Sequence, residues 1–396
     1  MTTSANGRFT VLAHLHMQRD RTASSIEYRE PHRDLPGRQV DIPKLRRGGV
    51  DCIWLSEGGP GEFLVDPTYA LRAVEHPNTS MVRRTVYHGA SGVQRILRGF
   101  DAVRRLCSES GELELVTTTE QARSAQALGK VAVFLHTENL LMAGDLAMLR
   151  AYYEVGLRIT GLVHGVPQDW IDCDAEQTVP SGLTDFGREV VRELNRLRIL
   201  IDVSHASEQA IDHVLDETAQ PIVASHSNAK GKSPLRRNLT DDHIKRIAET
   251  GGVVGVHCSS AFVDIRCLHG RELATRTDVS YKDNQLQLLD DIAAGKVDPF
   301  EAEARTLPSV LGYTSLPTVG LDALVDMVDH MVAIAGEDHV GIGTDFEFLE
   351  DVVEGFSSAD QTPAFLDALE RRGYPGRVVD KIAGGNFMRV MAEVID

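Results

Sequence analysis

Eight short apolar runs rich in β-branched residues, most of them followed by a stretch of helical spacing, constrain this chain more than any other feature. They are Phe9–Leu15, Val50–Leu55, Val131–Leu135, Ile159–Val163, Leu200–Val203, Ile222–Ala224, Val253–Val256 and Val340–Ile342. Continuous apolar character, rather than alternation, suits strands buried on both faces. Strands that alternate with helices imply a parallel sheet, and eight such units favour a closed (β/α)8 TIM barrel over an open doubly wound sheet. Apolar residues recur at helical spacing in Gly92–Cys107, Thr119–Leu128, Leu146–Tyr153, Thr184–Leu197, Ser207–Leu215, Thr240–Ala248 and Leu321–Ala335. Thr119 and Thr240 stand where N-caps belong, and Gly336 where the last of these helices should stop. The length of 396 residues, with 42% hydrophobic and 25% charged, suits one barrel domain with insertions over 1–396.

Two segments break the rhythm. Gln18–Lys44 is polar and Arg-rich and reads as a long loop after the first strand. Ala261–Thr318 follows the seventh strand and reads as an inserted subdomain or lid, because long insertions in this fold gather at the active-site face. Helical pieces at Ala364–Arg372, Arg377–Ala383 and Asn386–Ile395 follow the last strand. No glycine fingerprint for nucleotide phosphates follows any strand. The net charge of −17 argues against binding nucleic-acid backbones. No signal peptide is visible, and no apolar run is long enough for a bilayer. Five widely spaced cysteines with no CxxC pair suit reduced thiols and a cytoplasmic protein.

Histidines and carboxylates fall at strand ends. His14 and His16 close the first strand, Glu138 follows the third, and His164 closes the fourth. His205, His226 and Asp345 close the fifth, sixth and eighth. In a closed barrel these ends meet at one mouth. A His-x-His pair presents both imidazoles on one strand face. Imidazole and carboxylate are the usual ligands of catalytic zinc, and two ions about 3.5–4 Å apart can hold a hydroxide and polarise a carbonyl together. A single strand-end histidine is more often structural; the joint occurrence points to a metal centre. His136, His257, Asp51 and Asp202 read as structural, with His257 the one that lines the pocket if any does. His32-Arg33-Asp34 is a second candidate ligand pair, but no apolar strand precedes it.

Several of these segments resemble the membrane (renal) dipeptidase family of zinc peptidases, in the amidohydrolase superfamily. The resemblance is carried by DIPKLRRGGV at 41–50, the stretch from Gly129 to Glu138, LVH at 162–164 with Trp170 downstream, and GLTDFGREVVRELNRL at 182–197. LIDVSH at 200–205, SHS at 225–227, RRNLTDD at 236–242, GIGTDF at 341–346 and GNFMRV at 385–390 complete it. The resemblance implies a barrel that hydrolyses a dipeptide, or a related amide with a free carboxylate, through a hydroxide bridging two Zn2+ ions. It assigns His14 and position 16 to one metal, Glu138 to both, and His205 and His226 to the other. His164 would stabilise the oxyanion, Arg237 would bind the substrate carboxylate, and Asp345 would carry the proton.

The chain departs from the family in carrying His16 where an aspartate is usual, Glu347-Phe348 after Asp345-Phe346, and the long 261–318 segment. A runner-up is another hydrolase of the superfamily, acting on a lactone, an N-acyl amino acid or a cyclic amide; Arg237 favours a substrate with a free carboxylate. A non-catalytic metal-binding protein would require the loss of a ligand or of the proton shuttle. A small dipeptide-like substrate, no membrane or nucleic-acid partner, and a homodimer are the remaining expectations.

Overall fold

A computed structural model describes residues 7–17, 19–21, 26–28, 30–57, 90–165, 167–174, 181–267, 296, 318–347, 349 and 351–396. Eight parallel strands form the barrel: β1 (Val11–Leu15), β2 (Cys52–Glu57), β3 (Val131–Thr137), β4 (Ile159–Gly161), β5 (Leu200–Asp202), β6 (Val223–Ala224), β7 (Val253–His257) and β8 (Val340–Gly343). Each pairs with its sequence neighbour, and β1 pairs with β8 through Ala13 and Gly343, which closes the ring. The main surrounding helices are α1 (Ile42–Arg47), α2 (Ala90–Ser110), α3 (Thr119–Ala127), α4 (Leu146–Glu154), α5 (Asp185–Leu197), α6 (Glu208–Glu217), α7 (Asp241–Glu249) and, before β8, α8 (Leu321–Ala335). Helices α9 (Thr362–Arg372), α10 (Gly376–Asp380) and α11 (Asn386–Val394) follow β8.

Strand alternation divides the core in two. Leu12, Ile53, Leu55, Val133, Leu135, Ile201, Val254, Val256, Val340 and Ile342 belong to the larger cluster shared with the helices. Val11, Ala13, Cys52, Trp54, Ala132, Phe134, Ile159, Leu200, Val223 and Val253 form the inner cluster, joined by Phe387, Met388, Val390 and Met391 of α11. The Phe387 ring meets Trp54 edge-on at 4.8 Å, and a side chain at Gly341 would collide with that ring. Helix α11 therefore floors the barrel, leaving the carboxyl ends of the strands for chemistry.

Side-chain caps start the helices. Thr184, Ser207 and Thr240 accept from Gly187 N, Ala210 N and His243 N at 3.2, 3.1 and 3.1 Å. These caps satisfy backbone donors that a helix start leaves unpaired. The cap of α3 is Thr118, not Thr119: Thr118 Oγ1 accepts from Gln121 N at 3.2 Å. Thr119 instead bonds the Asp396 carboxylate through its backbone N at 3.0 Å and its hydroxyl.

The 18–44 segment is more than a loop. It holds two antiparallel strands, Arg19–Arg21 paired with Ile26–Tyr28, and the start of α1, capped by Asp41. A short strand, Leu113–Leu115, adds parallel to the first residues of β3 outside the ring and has no counterpart among the eight apolar runs. The piece expected at Arg377–Ala383 divides into α10 and a wide turn at Lys381–Gly385. Most of the 261–318 insertion lies outside the described residues.

Candidate metal centre

The mouth of the barrel collects all of the expected ligands. Glu138 lies just beyond β3 and is buried. Its Oε1 stands 3.5 Å from His14 Nε2, 3.4 Å from His164 Nε2, 3.1 Å from His205 Nε2 and 3.7 Å from His226 Nε2. Its Oε2 is 3.9 Å from His16 Nε2. Asp345 Oδ1 stands 3.4 Å from His14 Nε2 and 3.5 Å from His16 Nε2. The Nε2 atoms converge in pairs, His14 with His16 at 3.2 Å and His205 with His226 at 3.0 Å.

Strand alternation alone does not produce this arrangement. Val11 and Ala13 belong to the inner cluster and Leu12 and Leu15 to the outer one, so His14 should face the helices. The register of β1 against β2 shifts between Leu12 and Leu15, and His14 takes a left-handed backbone with φ of 53°. Such a bulge re-aims side chains, and here it turns His14 and His16 into the mouth. His205 and Asp345 are also left-handed, with φ of 68° and 57°. Non-glycine residues held there cost on the order of 1–3 kcal/mol each and concentrate at functional sites.

Burial sets the protonation of the cluster. It lowers the His14 pKa to about 4, against the opposing pull of Asp345, and pushes His205 and His226 well below the usual histidine range. These imidazoles are therefore neutral, as ligands must be. Burial alone would raise the Asp345 pKa, but His14, His16 and His257 outweigh it and hold the carboxyl well below the usual range.

The donor set fits a divalent metal. His14, Glu138, His226 and Asp345 offer ligand atoms all within 4.8 Å of one another, and so do Glu138, His164 and His205. Imidazole nitrogen and carboxylate oxygen are ligands that divalent metals take in catalytic sites. The alternative pair is excluded by position. His32 is exposed beside Glu112 at 3.5 Å, and Asp34 is exposed and pairs with Lys44 and Arg47 at 2.9 Å.

Arg237 is buried next to the cluster. Its Nη1 donates to Ser227 Oγ at 2.8 Å and its Nη2 to His226 O at 2.7 Å. Two groups carry more weight than sequence reasoning gave them. His257 Nε2 stands 3.3 Å from Asp345 Oδ2, on the side away from His14 and His16. Buried Asp174 sits between Arg237 Nε at 3.8 Å and His205 Nδ1 at 3.9 Å. His257 closes β7, so its strand-end position was a usable signal. Asp174 follows Ile171, whose only ladder contacts are isolated bridges, and no periodicity marks it.

Glu347 also has a defined place. Its Oε1 accepts from Gln39 N at 2.8 Å and Val40 N at 2.7 Å, which ties the segment before α1 to the end of β8. Burial raises its pKa.

The chain is similar to Dipeptidase 3 of Rattus norvegicus, 27% identical over 308 residues, covering 76% of this chain and 52% of that protein. It thus spans about half the length of that curated relative. Among solved structures, it is similar to the probable dipeptidase PvdM from Pseudomonas aeruginosa, with a TM-score of 0.76 and 23% identity, covering 98% of this chain and 95% of that one. It is also similar to a metallo peptidase from Rhodobacter sphaeroides liganded with a phosphinate mimic of L-Ala-D-Ala, with a TM-score of 0.70 and 22% identity over 91% of each chain. These likenesses below 25% identity establish the shared barrel fold. The model of one family matches residues 10–396, and the chain belongs to that family, the membrane dipeptidases, peptidase family M19.

Proposed function

We propose that the protein is a zinc-dependent dipeptidase with two ions at the barrel mouth. The observation that carries this reading is Glu138 Oε1 ringed by four histidine Nε2 atoms, with Asp345 and Arg237 beside the ring. His14, His16 and Glu138 would hold one ion, and Glu138, His205 and His226 the other. Zinc bound there would polarise the scissile carbonyl and lower the pKa of a water toward neutrality.

The chain's own residues do the rest. Arg237 receives the substrate's terminal carboxylate; its Nη groups are fixed by Ser227 and His226, and its Nε makes no hydrogen bond among the described residues. His164, 3.4 Å from Glu138, donates to the carbonyl oxygen as charge develops on it. Asp345 takes the proton of the attacking water and delivers it to the amine as the C–N bond breaks. His257 Nε2 stands 3.3 Å from the far oxygen of Asp345, which leaves the other oxygen toward the reacting atoms.

The test is a panel of dipeptides with zinc-loaded protein. Asp345→Asn should lower kcat by roughly 10²–10⁴-fold. Arg237→Ala should raise KM for dipeptides by about 10–100-fold and leave C-terminal amides unaffected. Purified protein without stoichiometric metal, or an Asp345→Asn variant with full turnover, sinks the proposal. An insertion or lid at 261–318, a homodimeric state and a cytoplasmic location belong to the same proposal. The last is supported by five cysteines that are all unpaired and buried. Among the described residues no helix is long and apolar enough to cross a membrane.

A further inference from the structure

Beneath the ligands lies a second polar layer that the reaction does not use. It runs across the barrel interior through Ser56 of β2, His136 of β3, Asp202 of β5 and Ser225 just after β6, all buried. His136 Nδ1 is 3.0 Å from Ser56 Oγ, and His136 Nε2 is 3.3 Å from Asp202 Oδ2. Asp202 Oδ1 accepts from Ser204 N at 2.9 Å and Ser225 N at 2.8 Å. Asp202 Oδ2 accepts the Ser225 hydroxyl in a short bond. Ser225 Oγ in turn lies 2.7 Å from His226 Nδ1. The layer thus ends on a ligand of the metal centre.

Hydrogen counting fixes the direction of the bonds that lead from Asp202 to His226. Contacts with His136 and Ser225 outweigh burial and keep Asp202 ionised, so it can only accept. The single Ser225 hydroxyl hydrogen is therefore spent on Asp202. Its oxygen can then only accept from His226, which places the imidazole proton on Nδ1. A neutral imidazole protonated at Nδ1 carries its lone pair on Nε2, the atom 3.7 Å from Glu138 and 3.0 Å from His205 Nε2. His136 is held the opposite way round, with a proton on Nε2 toward Asp202 and Nδ1 facing Ser56. His14, His136 and Asp202 also lie close enough together to suggest a third ion. Four donors already fill both oxygens of Asp202, so the group serves as an orienting layer.

We propose that Ser225 and Asp202 form a hydrogen-bond relay that fixes His226 in the Nδ1–H tautomer, making both positioning residues of the metal centre. The inference rests on His226 being a ligand, as argued above. Among the described residues, the Nδ1 atoms of His14 and His205 make no hydrogen bond, whereas His226 Nδ1 meets Ser225 Oγ. Groups that hydrogen-bond the far nitrogen of a ligating histidine typically contribute 10–100-fold in metal affinity.

Asp202→Asn gives the discriminating test. An amide that accepts the two backbone N–H groups at Oδ1 must donate at Nδ2 to Ser225. That turns the Ser225 hydrogen onto His226 Nδ1 and moves the imidazole proton to Nε2. Zinc competition against a chromogenic chelator should show affinity falling 10–100-fold in Ser225→Ala and further in Asp202→Asn. Imidazole 1H–15N correlations should show His226 as Nδ1–H in the wild type and Nε2–H in Asp202→Asn. A relay that merely supports the fold would lower Tm without moving the tautomer. Wild-type zinc affinity in both variants, or Nε2–H in the wild type, overturns the relay. Wild-type protein that binds no zinc yet shows Nδ1–H would overturn the dipeptidase reading and leave the relay standing.

Discussion

At the scale of single residues, the site depends on side chains that leave the pattern their strands set. His14 is the clearest case. Its strand-end position and its spacing from His16 are legible in the sequence. The left-handed turn that brings it inward is not, because a bulge arises from the register of two strands distant in sequence. Asp202 is the converse: a carboxylate inside an apolar run reads as packing, and only its neighbours His136 on β3 and Ser225 just after β6 point to an orienting role. The buried imidazoles also predict a pH dependence. In the unfolded chain a histidine titrates near 6.5, whereas burial holds His14 near 4 and His205, His226 and His257 below their usual range. Between those values the unfolded chain binds more protons, so stability falls as pH falls, by at most about 1.4 kcal/mol per pH unit for each histidine. The urea midpoint of metal-stripped protein should therefore drop steadily from pH 7 to pH 5. A flat midpoint would contradict the neutral, buried assignment.

At the scale of elements, continuous β-branched runs placed all eight barrel strands, since strands covered on both faces have no polar side to disguise them. The paired strands Arg19–Arg21 and Ile26–Tyr28 and the strand Leu113–Leu115 escaped notice for a different reason: each is only three residues long, too short for a periodicity to show, and tertiary pairing makes them strands. The cap of α3 was misplaced by one because three threonines, Thr117, Thr118 and Thr119, stand together and propensity cannot choose among them. Close backbone approach between β8 and the segment just after β6 supplies an element-scale prediction. A Cβ at Gly343 would fall inside the van der Waals radius of Ser225 O. Gly343→Ala must push β8 away from the segment carrying Ser225 and His226, costing roughly 1–3 kcal/mol or more. Calorimetry should show the lower Tm, and the same variant should bind zinc more weakly.

Across the whole molecule, stability and chemistry occupy opposite ends of one barrel. Helix α11 seals the floor with Phe387 and Met391, both fully buried, while the ligands line the mouth. The sequence indicated helices after the last strand, but a floor is a long-range contact between Phe387 and Trp54 that no local pattern encodes. Phe387→Ala should cost about 3–5 kcal/mol, read as a fall in Tm, with kcat and zinc content preserved at temperatures where the protein stays folded. Loss of activity in step with metal, before any unfolding, would mean that floor and mouth are not separable.

The histidine-rich mouth has a consequence for how substrates arrive. Glu138 is the one carboxylate among the five ligands named above, with Asp345 beside it, while the chain as a whole carries −17. Loaded with two dications, the mouth is a small positive spot on a negative body. An acidic dipeptide is then repelled at long range and drawn in only within the last few ångströms. Salt screens the long-range repulsion first, since the Debye length is about 10 Å at 0.1 M. For such substrates kcat/KM should rise with moderate ionic strength, the reverse of the usual behaviour of an electrostatically steered enzyme. Stopped-flow measurements on acidic and neutral dipeptides from low to moderate salt would separate the two trends.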